Sequence, residues 1–510
     1  MTRVHRSALL LALLLALPST VRSDDGEPTM ENEKAPIPEP HRFVTHHTGT
    51  FGGRTVRYTA TAGETYLRDD DGKPTASVFT FAYDEDGLED PTTRPVTFVW
   101  NGGPGSASVW LHMGTFGPRR VVVPSDASDD GAPPYPVEEN TATILDVTDL
   151  VFVDPVGTGF SRPLGEHEGK EFWGLDEDAS SIAQLIRLWV TENGRWASPK
   201  YLLGESFGTT RAAAVAGYLE SGREDMSLNG LVLISQALDY TGSTPEPDNI
   251  LAFVSYLPTM AATARYHGRV AEPGTDLESF LAEVRRFATD EYAPALLMGS
   301  DLPAERRAEI AERLAAYTGL SREYVERADL KVLAWRFLKE LLRDEGVAIG
   351  RLDGRYEGDD IDDTDVEPDG DPSSYGIDGA FNAAFHDYIR RELDVDMEGR
   401  PYHVSGGVES WNWRTVPEGG YWEPSYVDTA PALARAMRRN PELRVMVANG
   451  YYDFATPFFD AEITFRRHGI ATDRVEMHYY EAGHMMYIHD PSRQRLMDDV
   501  RRFYGESSTP

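Results

Sequence analysis

Between Val96 and Tyr480 short apolar runs return at intervals: Val96 to Trp100, Leu150 to Val153, Tyr201 to Leu203, Leu231 to Ile234, Arg444 to Ala448 and Val475 to Tyr480. Amphipathic stretches separate several of them, and that alternation predicts buried, mostly parallel strands covered by helices. One such helix opens with Asp176, Glu177 and Asp178, acids suited to its N-terminus, and puts Ala179, Ile182, Ile186, Trp189 and Val190 on one face. Before these runs, β-branched and aromatic segments from Phe51 to Tyr83, broken at Asp70-Asp71-Gly72, predict antiparallel strands.

The strand pattern stops from about residue 237 to 426, where helical segments such as Leu277 to Ala288 and Ala304 to Ala316 take over. This predicts an α/β core in two parts, 49–236 and 427–510, with a largely helical lid inserted between them. Residues 24–48, carrying Pro28, Pro36, Pro38 and Pro40 without periodicity, predict an extended tail. Residues 1–23 have basic Arg3 and Arg6, an apolar run from Ala8 to Leu17 and small residues beyond it. That is the layout of a cleavable signal peptide, so the expected location is secreted or periplasmic. The run is too short to span a bilayer. Within the lid, the acidic stretch Glu357 to Asp371 does not fit a calcium loop and reads as a solvated loop.

A formal charge of -35 repels phosphate backbones, which argues against a nucleic-acid partner. With no cysteine, thiol catalysis, disulfides and thiolate metal sites are all excluded. No metal or organic cofactor is expected. Oligomeric state stays open.

Lys200 to Leu203 reads as a strand running into Gly204-Glu205-Ser206-Phe207-Gly208, and an alanine-rich helix follows from Thr209 to Leu219. A strand, a G-x-S-x-G turn and a helix make a nucleophile elbow, in which a strained turn lifts the serine hydroxyl to a helix N-terminus. A serine needs a base, and in this fold acid and histidine follow it in that order. Asp453 lies just beyond Val447-Ala448-Asn449, and His484 just beyond Tyr479-Tyr480-Glu481-Ala482-Gly483. Both are at strand C-terminal ends, where open α/β sheets build sites. Taken singly, Asp453 reads equally well as a helix cap and His484 as a packing residue; order and topology favour the triad. The N–H of Phe207 is one expected oxyanion donor, and the glycine loop Trp100-Asn101-Gly102-Gly103-Pro104-Gly105 is the expected source of a second.

Five segments together resemble the serine carboxypeptidase family: Trp100 to Ser106, Asp154 to Ser161, Gly204 to Gly208, Asn449 to Asp453 and Gly483-His484-Met485. The resemblance implies an α/β-hydrolase fold and removal of C-terminal residues from peptides through an acyl-enzyme. It implies Ser206, Asp453 and His484 as triad, Gly103 and Phe207 as oxyanion donors, and Asn101, Gly102 and Glu205 as contacts of the substrate's terminal carboxylate. It also implies a second glutamate sharing a proton with Glu205, but Thr115 stands at that position, which opens the pH optimum and leaves Arg119 or Arg120 to compensate. The absent disulfides, with Ser106 at a usual cysteine position, resemble the cysteine-poor bacterial branch. Triad and oxyanion hole serve any acyl transfer, so an esterase, an acyltransferase or another peptidase on the same scaffold, without a strict requirement for a free carboxylate, remains the alternative. A silent binding protein would lack one of these elements. Tyr451, Tyr452, Trp411 and Trp413 read as pocket-lining or as packing residues.

Overall fold

The computed structural model describes residues 37–221, 225–271, 274–416 and 426–507. The expected signal peptide, residues 1–23, and residues 24–36 of the expected tail lie outside the described residues. The remainder of the tail is not all extended loop: a strand, β1, already begins at Arg42 and runs to Phe51. Its residues pair in unbroken antiparallel register, from Arg42↔Gly63 to Phe51↔Arg54, with β2 (Arg54–Arg68).

With β3 (Pro74–Glu85), these strands form an antiparallel wing on a ten-stranded sheet. Its parallel part comprises β4 (Val96–Trp100), β5 (Asp149–Asp154), β6 (Lys200–Glu205), β7 (Gly230–Ile234), β8 (Arg444–Gly450) and β9 (Val475–Tyr480). The spatial order is β1-β2-β3-β5-β4-β6-β7-β8-β9, and the two-residue strand Arg162–Pro163 pairs with β3 off this path. All residues of β4 to β7 are buried, which is why they read as unbroken apolar runs. The fold is that of an α/β hydrolase.

Side chains alternate between two cores. Phe98, Val151, Leu202 and Leu231 face helices α1 (Leu175–Glu192), α2 (Phe207–Leu219) and Ala430–Arg439, while Val99, Phe152, Leu203 and Val232 share the other core with the C-terminal helix Asp490–Ser507. The predicted stripe of α1, Ala179 to Val190, is buried in the first of these. The chain leaves β4, returns as β5 on one side, then crosses to β6 on the other. The sheet's topological switch therefore lies between the C-terminal ends of β4 and β6.

The insertion between β7 and β8 builds a core of its own from Phe253, Leu257, Leu281, Ile310, Leu314 and Phe337, joined by Tyr451, Tyr452, Phe454 and Phe458. Tyr451 and Tyr452 are thus packing residues. The insertion is not wholly helical, because Val347–Ile349 and Glu357–Asp359 form a hairpin. Nor is the acidic stretch merely solvated. Asp360 accepts a 2.8 Å bond from the buried Lys339 ammonium, and Asp371 receives the N–H groups of Arg351 and Leu352. Acid runs usually face water, but these carboxylates neutralise a buried cation and cap the hairpin's strap.

Candidate active site

Ser206 has φ +59° and ψ −130°, a region an L-residue occupies only under strain, between β6 and α2. The strain is held by crowding that only glycine tolerates. A Cβ on Gly204 would lie 2.2 Å from Gly208 O, and one on Gly208 would lie 2.9 Å from Asn101 O. The Ser206 N–H donates to Ile234 O at 3.0 Å, tying the turn to the end of β7.

Asp453 and His484 come from the ends of β8 and β9. His484 Nδ1 lies 2.7 Å from Asp453 Oδ2, with both residues buried. The carboxylate is fixed before it meets the ring. Its Oδ1 accepts from the N–H groups of Ala455 (2.7 Å) and Thr456 (3.0 Å), and its Oδ2 accepts from the Thr456 hydroxyl (2.7 Å). Asp453 therefore caps a tight turn and not the following helix, which begins at Phe458. Burial pulls the His484 pKa down, but the Asp453 charge, its hydrogen bond and the nearby Glu205 outweigh burial and leave it raised. The Ser235 hydroxyl, at the end of β7, donates to His484 O at 2.6 Å and fixes the ring's backbone.

The loop after β4 packs directly on the elbow. A Cβ on Gly102 would lie 2.6 Å from Phe207 N, so the two segments approach as closely as backbone allows, and Gly103 has φ +102°. Asn101 is buried; its Oδ1 accepts from Leu111 N–H and its Nδ2 donates to Glu205 Oε1 at 2.8 Å. Burial pushes the Glu205 carboxyl up to about 7, against the pull of the His484 imidazole and of hydrogen bonds.

Thr115 is also buried, on the turn His112–Phe116, but its hydroxyl takes no hydrogen bond. Neither arginine compensates for the missing acid. Arg119 donates to Glu392 at 2.8 Å, and Arg120 to Glu138 and Asp490, so both guanidiniums are committed elsewhere. Trp411 and Trp413 pack edge-on against Phe207, at 5.1 and 5.9 Å between ring centroids, covering the elbow.

Several structural partners escape the sequence reading. Arg211, a lone arginine in an alanine-rich helix, is buried; it donates to Asp178 at 2.6 Å and to Asn101 O at 2.8 Å, and lies over the Phe207 ring. Asp178 therefore does more than favour a helix N-terminus. On the other side of the loop, Asp154 accepts from Ser108 N–H and from the Tyr402 hydroxyl. From the insertion, Leu352 O accepts from His484 N–H at 2.6 Å, and Arg351 O from Phe454 N–H at 3.0 Å. A charged cluster at the base of the insertion, Asp239, Asp428 and His468, is satisfied internally: Asp239 is 2.9 Å from one ring nitrogen and Asp428 is 3.5 Å from the other.

The family model for serine carboxypeptidases matches residues 60–252. Comparison with curated proteins gives no match. Among solved structures, Kex1Δp, a prohormone-processing carboxypeptidase from Saccharomyces cerevisiae, is 16% identical with a TM-score of 0.53, covering 87% of this chain and 91% of its own. A proline iminopeptidase from Mycobacterium smegmatis is 14% identical with a TM-score of 0.35, covering 87% and 98%. A carboxyl esterase from Bacillus coagulans is 13% identical with a TM-score of 0.36, covering 88% and 98%.

Proposed function

We propose that this chain, whose residues 60–252 fall in the serine carboxypeptidase family, is an exported enzyme that removes C-terminal residues from peptides by a Ser206-His484-Asp453 mechanism. The observation that carries the reading is the strained Ser206 at the sheet's switch point, together with the 2.7 Å Asp453–His484 pair at the ends of β8 and β9.

In this reading His484 takes the Ser206 proton as Oγ attacks the last peptide carbonyl, and Asp453 stabilises the imidazolium. The N–H groups of Gly103 and Phe207 receive the oxyanion. His484 then passes its proton to the leaving amine, which departs as the free C-terminal amino acid. Water attacks the acyl-enzyme by the same route in reverse and restores Ser206. Asn101, Gly102 and Glu205 receive the terminal carboxylate; a neutral Glu205 can donate to it without repelling it. The leader at residues 1–23 supports export.

The test is mass spectrometry of a synthetic peptide with a free C-terminus, incubated with the enzyme and with its Ser206→Ala variant. A ladder of products shortened from the C-terminus, absent with the variant, is expected. Internal cleavage would favour another peptidase on the same scaffold, and no cleavage beside rapid ester hydrolysis would favour the esterase or acyltransferase alternative.

A further inference from the structure

Glu205 is 3% exposed, and while its Oε1 is held by Asn101, its Oε2 has no well-aligned hydrogen bond among the described residues. The hydroxyl of Tyr487 is equally buried; it interacts with both the Glu205 carboxyl and the Asn101 side chain but forms no well-aligned hydrogen bond with any described residue. Tyr487 is three residues beyond His484, on the short turn Met486–Ile488. Its ring is seated on Gly114: a Cβ at that position would lie 2.4 Å from ring atom Cε2 and 2.6 Å from Cδ2. Gly114 thus makes the space in which the phenol reaches Glu205.

Buried polar atoms are almost always paired. The Tyr487 hydroxyl and Glu205 Oε2 face each other beside His484 without a well-aligned bond between them, which leaves bonding capacity for a third group. Burial keeps the phenol protonated, pushing its pKa well above the ordinary value with the Glu205 charge adding to the effect. Burial likewise favours the neutral carboxyl at Glu205. The charged and titratable groups that face this carboxyl are His484, Asp453 and Tyr487. Two O–H donors side by side suit a ligand that accepts hydrogen bonds and donates none, which describes a carboxylate.

We propose that the Tyr487 hydroxyl, together with neutral Glu205, binds the terminal carboxylate of the substrate and sets the preference for a free C-terminus. This rests on the carboxypeptidase reading above. A phenol, unlike a second carboxylate, brings no charge to be neutralised, so the pair works without an acidic partner at position 115.

The experiment compares kcat/KM for benzoyl-Gly-Phe and for its C-terminal amide in the wild-type enzyme and in Tyr487→Phe. A hydrogen bond to a charged group is worth about tenfold or more in affinity. The acid-to-amide ratio should therefore fall at least about tenfold in Tyr487→Phe, chiefly through a higher KM for the acid. An unchanged ratio in the variant, with wild type still preferring the acid, overturns the Tyr487 assignment and leaves the carboxypeptidase reading standing. No preference in wild type itself overturns that reading. If thermal melting shows Tyr487→Phe unfolded, Gly114→Ala, which displaces the ring while keeping its hydroxyl, gives the same readout: a fall in the ratio supports the assignment and an unchanged ratio overturns it.

Discussion

Asp353, a residue of the insertion, accepts a 3.0 Å hydrogen bond from the N–H of Gly483, the residue immediately before His484. Gly483 has no room for a side chain here, because a Cβ would lie 2.4 Å from the Asp353 Cα. The strap between the two strands of the insertion's hairpin therefore builds the loop that carries His484, and the insertion is part of the site's framework as well as its cover. Asp353 is buried and also paired to Arg355 at 2.6 Å. Replacing it with alanine leaves a buried guanidinium and an N–H without partners, a loss of about 3–5 kcal/mol for a broken buried pair. Asp353→Ala should show a lower melting temperature together with a lower kcat, whereas a pure lid residue would alter KM alone.

On the opposite side of the nucleophile, the Arg211–Asp178 pair fixes Asn101 O and the Phe207 ring. Asp178→Asn keeps the shape but leaves Arg211 as an uncompensated buried charge. A destabilisation of about 3–5 kcal/mol in urea unfolding is expected, with kcat falling more than KM rises because the proposed oxyanion donor Phe207 loses its setting.

Thr456 restrains Asp453 by a hydrogen bond to the same oxygen that meets His484. Thr456→Val removes that bond without removing volume. Its kcat should drop roughly tenfold, in keeping with the loss of a hydrogen bond to a charged group, with KM little changed; steady-state kinetics on any cleaved peptide reads this directly.

The pH dependence follows from two raised values. His484 must be neutral to act as base, and its pKa is raised above the ordinary 6.5, so activity on every substrate falls on the acid side. Glu205 must be protonated to receive a carboxylate, and its pKa is about 7, so activity on free-acid peptides also falls on the alkaline side. The free acid should give a bell-shaped kcat/KM profile, its limbs belonging to the coupled pair, and the C-terminal amide only the acid limb. The same group affects stability. Its folded pKa is raised, so its contribution is fully present below the ordinary 4.5 and is lost as pH rises through about 7, at most on the order of 3 kcal/mol. Glu205→Gln should remove that decline from melting temperatures measured between pH 4.5 and 8.

The parallel strands were legible because burial on both faces leaves unbroken apolar runs, and the Ser206 turn because its glycines answer a steric demand that any sequence must meet. The pairing of Asp453 with His484 was legible from their order and from their places at strand ends. Arg211 and Asp178 were not, since a charged residue on a helix normally faces water and only the packed structure shows these two turned inward toward each other. Asp353 and Tyr487 were hidden for a different reason: each acts across a long separation in the chain, on Gly483 and Glu205 respectively, and neither spacing nor periodicity links such pairs. The strand starting at Arg42 is hidden because exposure alternates along it while hydrophobicity does not, its inward positions between Phe43 and Phe51 being Thr45, His47 and Gly49.

Whether Ser206 is the nucleophile can be read with a fluorophosphonate, which reacts only with activated serines. Intact-mass spectrometry should show one adduct per chain, peptide mapping should locate it at Ser206 in Gly204 to Gly208, and peptide cleavage should vanish in step with labelling. An adduct on another serine, or cleavage that survives complete labelling of Ser206, would contradict the account.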